Sequence, residues 1–100
     1  MELNVLERIL LVQTLPSEGS FTNLKLLRLV KEALSFDEEE NKSLNFVMDG
    51  DMMRWDESAA IVKDVEIGDV VHKLIKKKLM ALDEQEKLTE NHISLYDKFV

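Results

Sequence analysis

The chain has 100 residues, 45% of them hydrophobic and 33% charged, and it contains no cysteine. This length suits one packed domain over 1–100, and the lack of cysteine excludes disulfides, thiolate metal sites and a cysteine nucleophile. The net charge is −7, and residues 37–69 alone carry a net charge of −8. Such a surplus of acid disfavours direct nucleic-acid binding, which requires a basic footprint, but it suits a surface that faces a basic partner.

Apolar residues at helical spacing predict two neighbouring helices at the start of the chain, over 3–14 and 22–34. Proline and glycine in PSEGS, residues 16–20, end the first of them. The short connection favours antiparallel packing of the pair. Both helices have apolar faces wider than one partner helix can cover, so other elements of the fold, or another copy of the protein, must cover the remainder.

A short acidic helix is predicted to follow, over 36–44. Ser35 and Glu38 have the spacing of a capping box, in which each side chain accepts a hydrogen bond from a backbone amide at the start of the helix. Acidic side chains in the first turn are also favoured by the helix dipole. Part of the acidic run therefore has a local structural reason.

The segment NFVMDGDMMRWDE predicts a β-hairpin at about 45–56, because Asp49-Gly50 is a pair preferred at the centre of a two-residue turn. A two-stranded ribbon is marginal alone, so we expect it to lie as a lid over the first two helices, and 63–67 could add a third strand. Alternation along the strands places Leu44, Phe46, Met48, Met53 and Trp55 on a core-facing side, and Asn45, Val47, Met52, Arg54 and Asp56 on the opposite side.

The longest helix is predicted over 67–82, and a last short helix follows Thr89, a residue that suits the N-cap position. Together the elements predict an α+β fold, mainly α, with four to five helices and a small antiparallel hairpin packed on them. The N-terminal apolar run is too short to span a membrane and lacks the features of a signal peptide. We therefore expect a soluble, intracellular protein with no membrane partner.

The polar residues form no recognisable catalytic, metal or cofactor motif. His72 and His92 lack further zinc ligands at a metal-binding spacing, and the three glycines stand singly rather than in a phosphate-binding loop. The segment that starts at Asp49 lacks the glycine and the final glutamate of an EF-hand, so its acids are more simply interpreted as a solvated turn. We expect no cofactor, no metal and no enzymatic activity.

One face of the predicted hairpin carries a small exposed apolar spot, because Val47 and Met52 point away from the core in the predicted register. Charged side chains surround this spot, and an apolar centre with a polar rim is typical of a protein contact. The predicted protein-interaction residues are Asp49, Asp51, Met52, Arg54, Asp56 and Glu57.

A basic patch of Lys73, Lys76 and Lys77, continued by Lys78, stands out in this acidic chain. A solvated helix face explains it most simply. It could instead meet the acidic hairpin of a second copy, which would produce a homo-oligomer. It could also contact a small phosphorylated ligand, although no aromatic residue that could stack on such a ligand accompanies the lysines.

Four segments span most of the chain: NVLERILLVQTLPSEGSFTNLKLLRLVKEALSF, EEENKSLNF, RWDE and KLTENHISLYDKFV. In them the chain resembles small uncharacterised proteins encoded by tailed bacteriophages and prophages. The resemblance carries no motif of known chemistry, so it implies no active site. It implies a phage origin and a location in the cytoplasm of the bacterial host.

That setting favours a non-enzymatic protein that binds and modulates a host protein through its acidic central surface. Small acidic phage proteins that occupy basic surfaces of nucleic-acid-handling machinery act in this way. The host partner would then present a basic surface. The alternatives are a structural or assembly protein that forms a homo-oligomer, and a binder of a small phosphorylated ligand.

Overall fold

Helices carry most of the chain in the computed structural model, which describes residues 1–59 and 61–100. Four short strands in this described part form two separate antiparallel sheets, so the fold is α+β and mainly α, as predicted. The helices are α1 (Val5–Thr14), α2 (Phe21–Leu34), α3 (Glu38–Leu44), α4 (Asp69–Glu84) and α5 (Ile93–Phe99). The strands are β1 (Glu2–Asn4), β2 (Val47–Asp49), β3 (Met52–Arg54) and β4 (Val62–Asp64).

The possible strand at 63–67 forms over Val62–Asp64 instead, and it pairs with the N-terminal strand and not with the hairpin. β1 and β4 run antiparallel, with Leu3 opposite Lys63. The side chain of Leu3 is fully buried, so pairing here places an apolar residue in the core. The sheets are therefore β1–β4 and β2–β3, each with two strands.

The first helix begins at Val5, two residues later than predicted, because a capping box closes its start. Asn4 Oδ1 accepts a hydrogen bond from the backbone N–H of Glu7 at 2.8 Å, and Glu7 Oε1 accepts one from the N–H of Asn4 at 3.0 Å. This exchange satisfies two amides that have no partner within the helix. Residues before Asn4 are thereby left extended and available for strand pairing.

The predicted capping box of Ser35 and Glu38 is wrong, because the box is formed two residues later. Asp37 Oδ1 accepts from the N–H of Glu40 at 2.8 Å, and Glu40 Oε1 accepts from the N–H of Asp37 at 3.1 Å. The hydroxyl of Ser35 instead donates to the carbonyl oxygen of Glu32 at the end of α2. Aspartate is as good an N-cap as serine, and α3 therefore begins at Glu38 rather than at residue 36.

The second half of the chain contributes two helices that pack against the first pair. α4 begins at Asp69, after Gly68 at the N-cap, and runs to Glu84, so it begins and ends two residues later than predicted. Thr89 caps a short 3₁₀ turn (Glu90–His92) that leads into α5. The core in which the helices and the first strand meet consists of Leu3, Leu11, Leu15, Leu27, Val30, Leu34, Val65, Val71, Ile75, Leu79, Leu95 and Phe99.

Arg8 of α1 is completely buried and joins the first helix to the end of the second and to the third. Its guanidinium donates to the backbone carbonyl oxygens of Leu34 and Ser35, and its Nη1 pairs with Glu40 Oε2 at 2.5 Å. The guanidinium carbon lies 4.0 Å from the centre of the Phe36 ring. Hydrogen bonds from Arg8, supported by the backbone at Asp37, hold the pKa of Glu40 below its ordinary value despite partial burial.

Glu7, the neighbour of Arg8, is buried on another side of α1, where α5 covers it. Its Oε1 accepts from Lys98 Nζ at 2.8 Å, and the same ammonium donates to the carbonyl oxygen of Glu2 at 2.7 Å. Burial alone would raise the pKa of Glu7. Hydrogen bonds from Lys98, from the backbone of Asn4 and from Ser94 outweigh burial, and the pKa is lowered.

Candidate protein-interaction site

The hairpin of β2 and β3 is held to the rest of the protein at its base by aromatic side chains. Phe46 and Trp55, which flank the two strands, lie with their ring centres 6.2 Å apart. Phe46 also meets the edge of Phe36 at 5.1 Å, so the aromatic cluster continues to the ring that covers Arg8. The base is closed by a 2.7 Å hydrogen bond from the N–H of Asp56 to the carbonyl oxygen of Leu44.

The turn of the hairpin is Gly50-Asp51, and not the predicted Asp49-Gly50. The paired residues are Val47 with Arg54, Met48 with Met53, and Asp49 with Met52. Gly50 has a φ of 64°, whereas the φ of Asp51 is not positive. This pattern is typical of a type II′ turn, which needs a positive φ only at its first central residue, where glycine adopts it without strain.

The correction moves the register by two residues, so the division of side chains between the two faces is kept. Val47, Asp49, Met52 and Arg54 share one face, and Arg54 Nη2 lies 3.3 Å from Asp49 Oδ2. Val47 is 51% exposed and Met52 is 67% exposed. The structure therefore brings together the predicted apolar spot and two members of its charged rim.

The predicted lid over the first two helices is wrong, because the opposite face of the hairpin is exposed as well. Met48 is 67% exposed and Met53 is 37% exposed, and every residue of β2 and β3 is exposed. Only the flanking Phe46 and Trp55 are partly covered, by the aromatic cluster. The hairpin thus projects from its base, and Met48 and Met53 are interaction candidates that the sequence prediction assigned to the core.

The carboxylates in and beside the hairpin differ in their ion-pair and hydrogen-bond partners. Asp49 pairs with Arg54, and Asp51 stands exposed in the turn. Asp56 Oδ1 accepts hydrogen bonds from the hydroxyl and the N–H of Ser58, which together lower its pKa. Asp56 therefore also shapes the start of the 3₁₀ turn Glu57–Ala59. The predicted contact at Glu57 rests on a side chain that lies outside what the structure describes.

Replacing Gly50 with alanine is expected to destabilise the hairpin locally by about 1–2 kcal/mol, the cost of a left-handed backbone for a residue with a side chain. A Cβ at this position meets no atom within 4 Å, so the cost comes from the backbone alone. Amide hydrogen exchange of β2 and β3 should become faster. Gly19→Ala is the matched control, because a Cβ there meets only an ordinary contact at 3.9 Å. Equal exchange rates in the two variants would contradict the strained turn.

The lysine patch lies on the solvent side of α4, where its residues line a shallow open groove. Lys73, Lys76 and Lys77 border the groove, which also contains Met80, Ala81 and Glu84. The three lysines are exposed, and within the described ranges none of them forms an ion pair. The phosphorylated ligand proposed for these lysines stays a prediction.

The histidines serve local structure in this fold. His72 Nε2 lies 3.2 Å from the carbonyl oxygen of Phe99, and His92 Nδ1 accepts from the N–H of Thr89 at 3.1 Å. In residues 1–59 and 61–100, His, Asp and Glu side chains form no group of three that could hold a metal ion. Across the same two ranges, no helix combines the length and hydrophobicity that crossing a bilayer requires.

Comparison with other proteins gives this chain no relative. Neither a protein-family model, nor a curated protein, nor a solved structure matches it. The features of the chain that bear on function are therefore those of its own exposed surface, above all the hairpin and the lysine groove.

Proposed function

We propose that the chain is a non-enzymatic binding protein that docks on a partner protein through the hairpin of β2 and β3. The resemblance to phage proteins makes this partner a protein of the bacterial host, in whose cytoplasm the chain would act. Binding would modulate the partner by occupying a basic surface. The proposed contact residues are Asp49, Asp51, Met52, Arg54 and Asp56, together with Glu57 and with Met48, whose side chain is exposed.

One observation carries the proposal: the apolar side chains of the hairpin are exposed on both of its faces. Met48 and Met52 are each 67% exposed and Val47 is 51% exposed. Exposed apolar clusters with charged rims mark protein contacts, and flexible methionine side chains adapt to the shape of a partner. If the hairpin served only to stabilise the fold, one of its two faces would be expected to pack against the helices.

The charges on the hairpin indicate what kind of surface it fits. Asp49 directly precedes the turn and Asp51 lies in it. The pKa of Asp56 is lowered, so this carboxylate stays ionised at neutral pH. Arg54 offsets one of these charges through its pair with Asp49. The partner surface should therefore be basic around an apolar centre, and its association should weaken as salt screens the charges.

The test is a capture experiment from bacterial lysate with three baits. The wild-type chain and an Asp49→Asn/Asp51→Asn variant are compared with Glu18→Gln/Glu90→Gln, which removes the same charge at exposed sites outside the hairpin. Wild type and control should capture the same protein in stoichiometric amount. The hairpin variant should bind it at least tenfold more weakly, which corresponds to about 1.4 kcal/mol.

Two further measurements decide whether the hairpin makes the contact. Elution should occur on raising the salt from about 0.1 M, where the Debye length is about 10 Å, toward 1 M. Met48→Ser/Met52→Ser should weaken capture at about 0.1 M salt, because it removes exposed apolar side chains and leaves the charge unchanged. Undiminished capture by the Asn and Ser variants, with folding verified by circular dichroism, would overturn the proposal.

A further inference from the structure

The lysine groove of α4 and the tip of the hairpin have matching charges. Lys73 and Lys77 are four residues apart, so their Cα atoms lie about 6 Å from each other along the helix. Asp49 and Asp51 are separated by one glycine at the turn, which keeps their Cα atoms within about 7 Å of each other. Two carboxylates can therefore face two ammonium groups across a contact of this size.

The apolar parts of the two surfaces also match. Met80, which is 44% exposed, and Ala81 line the groove together with the lysines and Glu84. On the face that carries Asp49, the hairpin presents Val47 and Met52. A contact of these surfaces would place Met52 against the apolar lining of the groove and pair the charges at its rim, which is the usual arrangement of a protein interface.

We propose that the hairpin of one copy docks in the lysine groove of a second copy. This inference rests on the proposed docking role of the hairpin and names one partner for it. The contact joins two different surfaces, so each copy can offer its hairpin to one neighbour and its groove to another. Such an assembly either closes into a ring or continues as an open chain. Self-assembly would then compete with the host partner for the same hairpin.

A charge-exchange experiment tests this contact, with the mass in solution measured by analytical ultracentrifugation from micromolar to millimolar protein. Wild-type protein should show at least a doubling of mass with concentration at about 0.05 M salt, and less assembly at about 0.5 M. Asp49→Lys/Asp51→Lys and Lys73→Glu/Lys77→Glu should each be monomeric, because each places like charges in the contact.

Mixing the two variants should restore assembly, since the unaltered hairpin of one fits the unaltered groove of the other. A protein that carries all four changes should also assemble, with the charges exchanged. The control is Lys25→Glu/Arg28→Glu, which changes the net charge of α2 equally and should assemble as the wild type does. Normal thermal unfolding of each variant excludes misfolding as the cause of a monomeric mass.

Several outcomes would overturn the inference: wild-type protein that is monomeric throughout, loss of assembly in the α2 control, or a mixture of the two variants that stays monomeric. The outcome for the host partner is separate. Lys73→Glu/Lys77→Glu keeps the hairpin intact, so as a bait it should retain the captured protein even where self-assembly is lost. Loss of capture with the Asp49→Asn/Asp51→Asn bait, by contrast, tests the proposed function of the hairpin and does not test the groove.

Discussion

Replacing Arg8 with methionine is expected to lower the free energy of unfolding by about 3–5 kcal/mol, the range for removing one partner of a buried ion pair. The side chain of Arg8 is 0% exposed and that of Glu40 only 14%, so water cannot replace the lost cation well. The carbonyl oxygens of Leu34 and Ser35 would lose their donors too. Urea unfolding followed by far-ultraviolet circular dichroism measures the change.

The matched control for this prediction is Arg28→Met, in α2. Arg28 also pairs with a glutamate, Glu32 at 3.6 Å, but its side chain is 82% exposed. Such surface pairs are worth about 0–1 kcal/mol. Adding Glu40→Gln to Arg8→Met should recover part of the loss, because glutamine can still complete the capping box and carries no charge. A loss below about 1 kcal/mol in Arg8→Met would contradict the structural role of the buried network.

Replacing Lys98 with methionine is expected to cost about 2–3 kcal/mol at neutral pH. The Glu7 carboxylate, whose side chain is 4% exposed, would keep its charge without the ammonium that lies 2.8 Å away. We place the cost at or below the lower end of the range for buried pairs because Lys98 is 36% exposed, which lets water screen the interaction. The carbonyl oxygen of Glu2 would lose a donor as well.

The stability lost in Lys98→Met should depend on pH, and the pKa of Glu7 gives the direction of this dependence. In the wild type the pKa of Glu7 is lowered, so its contribution to stability is present above the unfolded pKa of about 4.3 and is lost as the pH falls through the folded pKa. Without Lys98 the effect of burial dominates and the pKa should rise above the unfolded value. The variant then gains from protonation, and its deficit should shrink between neutral pH and about pH 4.

Urea unfolding at several pH values, with an NMR titration of the Glu7 carboxyl carbon, measures both effects. Lys42→Met is the matched control, because Lys42 pairs with Glu38 at 3.9 Å while both side chains are largely exposed. The control should change stability by less than about 0.5 kcal/mol at any pH. A deficit of Lys98→Met that stays constant with pH would show that Glu7 does not depend on this lysine for its charge.

The helices could be predicted from the sequence because their apolar spacing is a local signal. α2 was predicted within one residue. The buried charges of α1 could not be predicted in this way. Arg8 finds Glu40 at a separation of 32 residues, and Glu7 finds Lys98 at a separation of 91, so nothing near either residue signals its partner.

The hairpin shows where a local signal is ambiguous. Asp49-Gly50 and Gly50-Asp51 both suit a two-residue turn, and the sequence DGD does not distinguish the type I′ arrangement from the type II′ arrangement. Both registers divide the side chains between the faces in the same way, so the predicted faces were correct while the pairs were not. Whether a face is covered depends on distant packing, and this is why Met48 and Met53 were wrongly assigned to the core.

The aromatic cluster at the base of the hairpin also provides an intrinsic fluorescent probe. Trp55 is the single tryptophan of the chain, and it is only partly covered, beside Phe46 and one residue after β3. Its indole emission therefore reports on the hairpin base and on no other part of the molecule. Docking at the hairpin can be followed through this intrinsic fluorescence, so binding of a purified partner or of a second copy can be titrated without attaching a dye to the surface being studied.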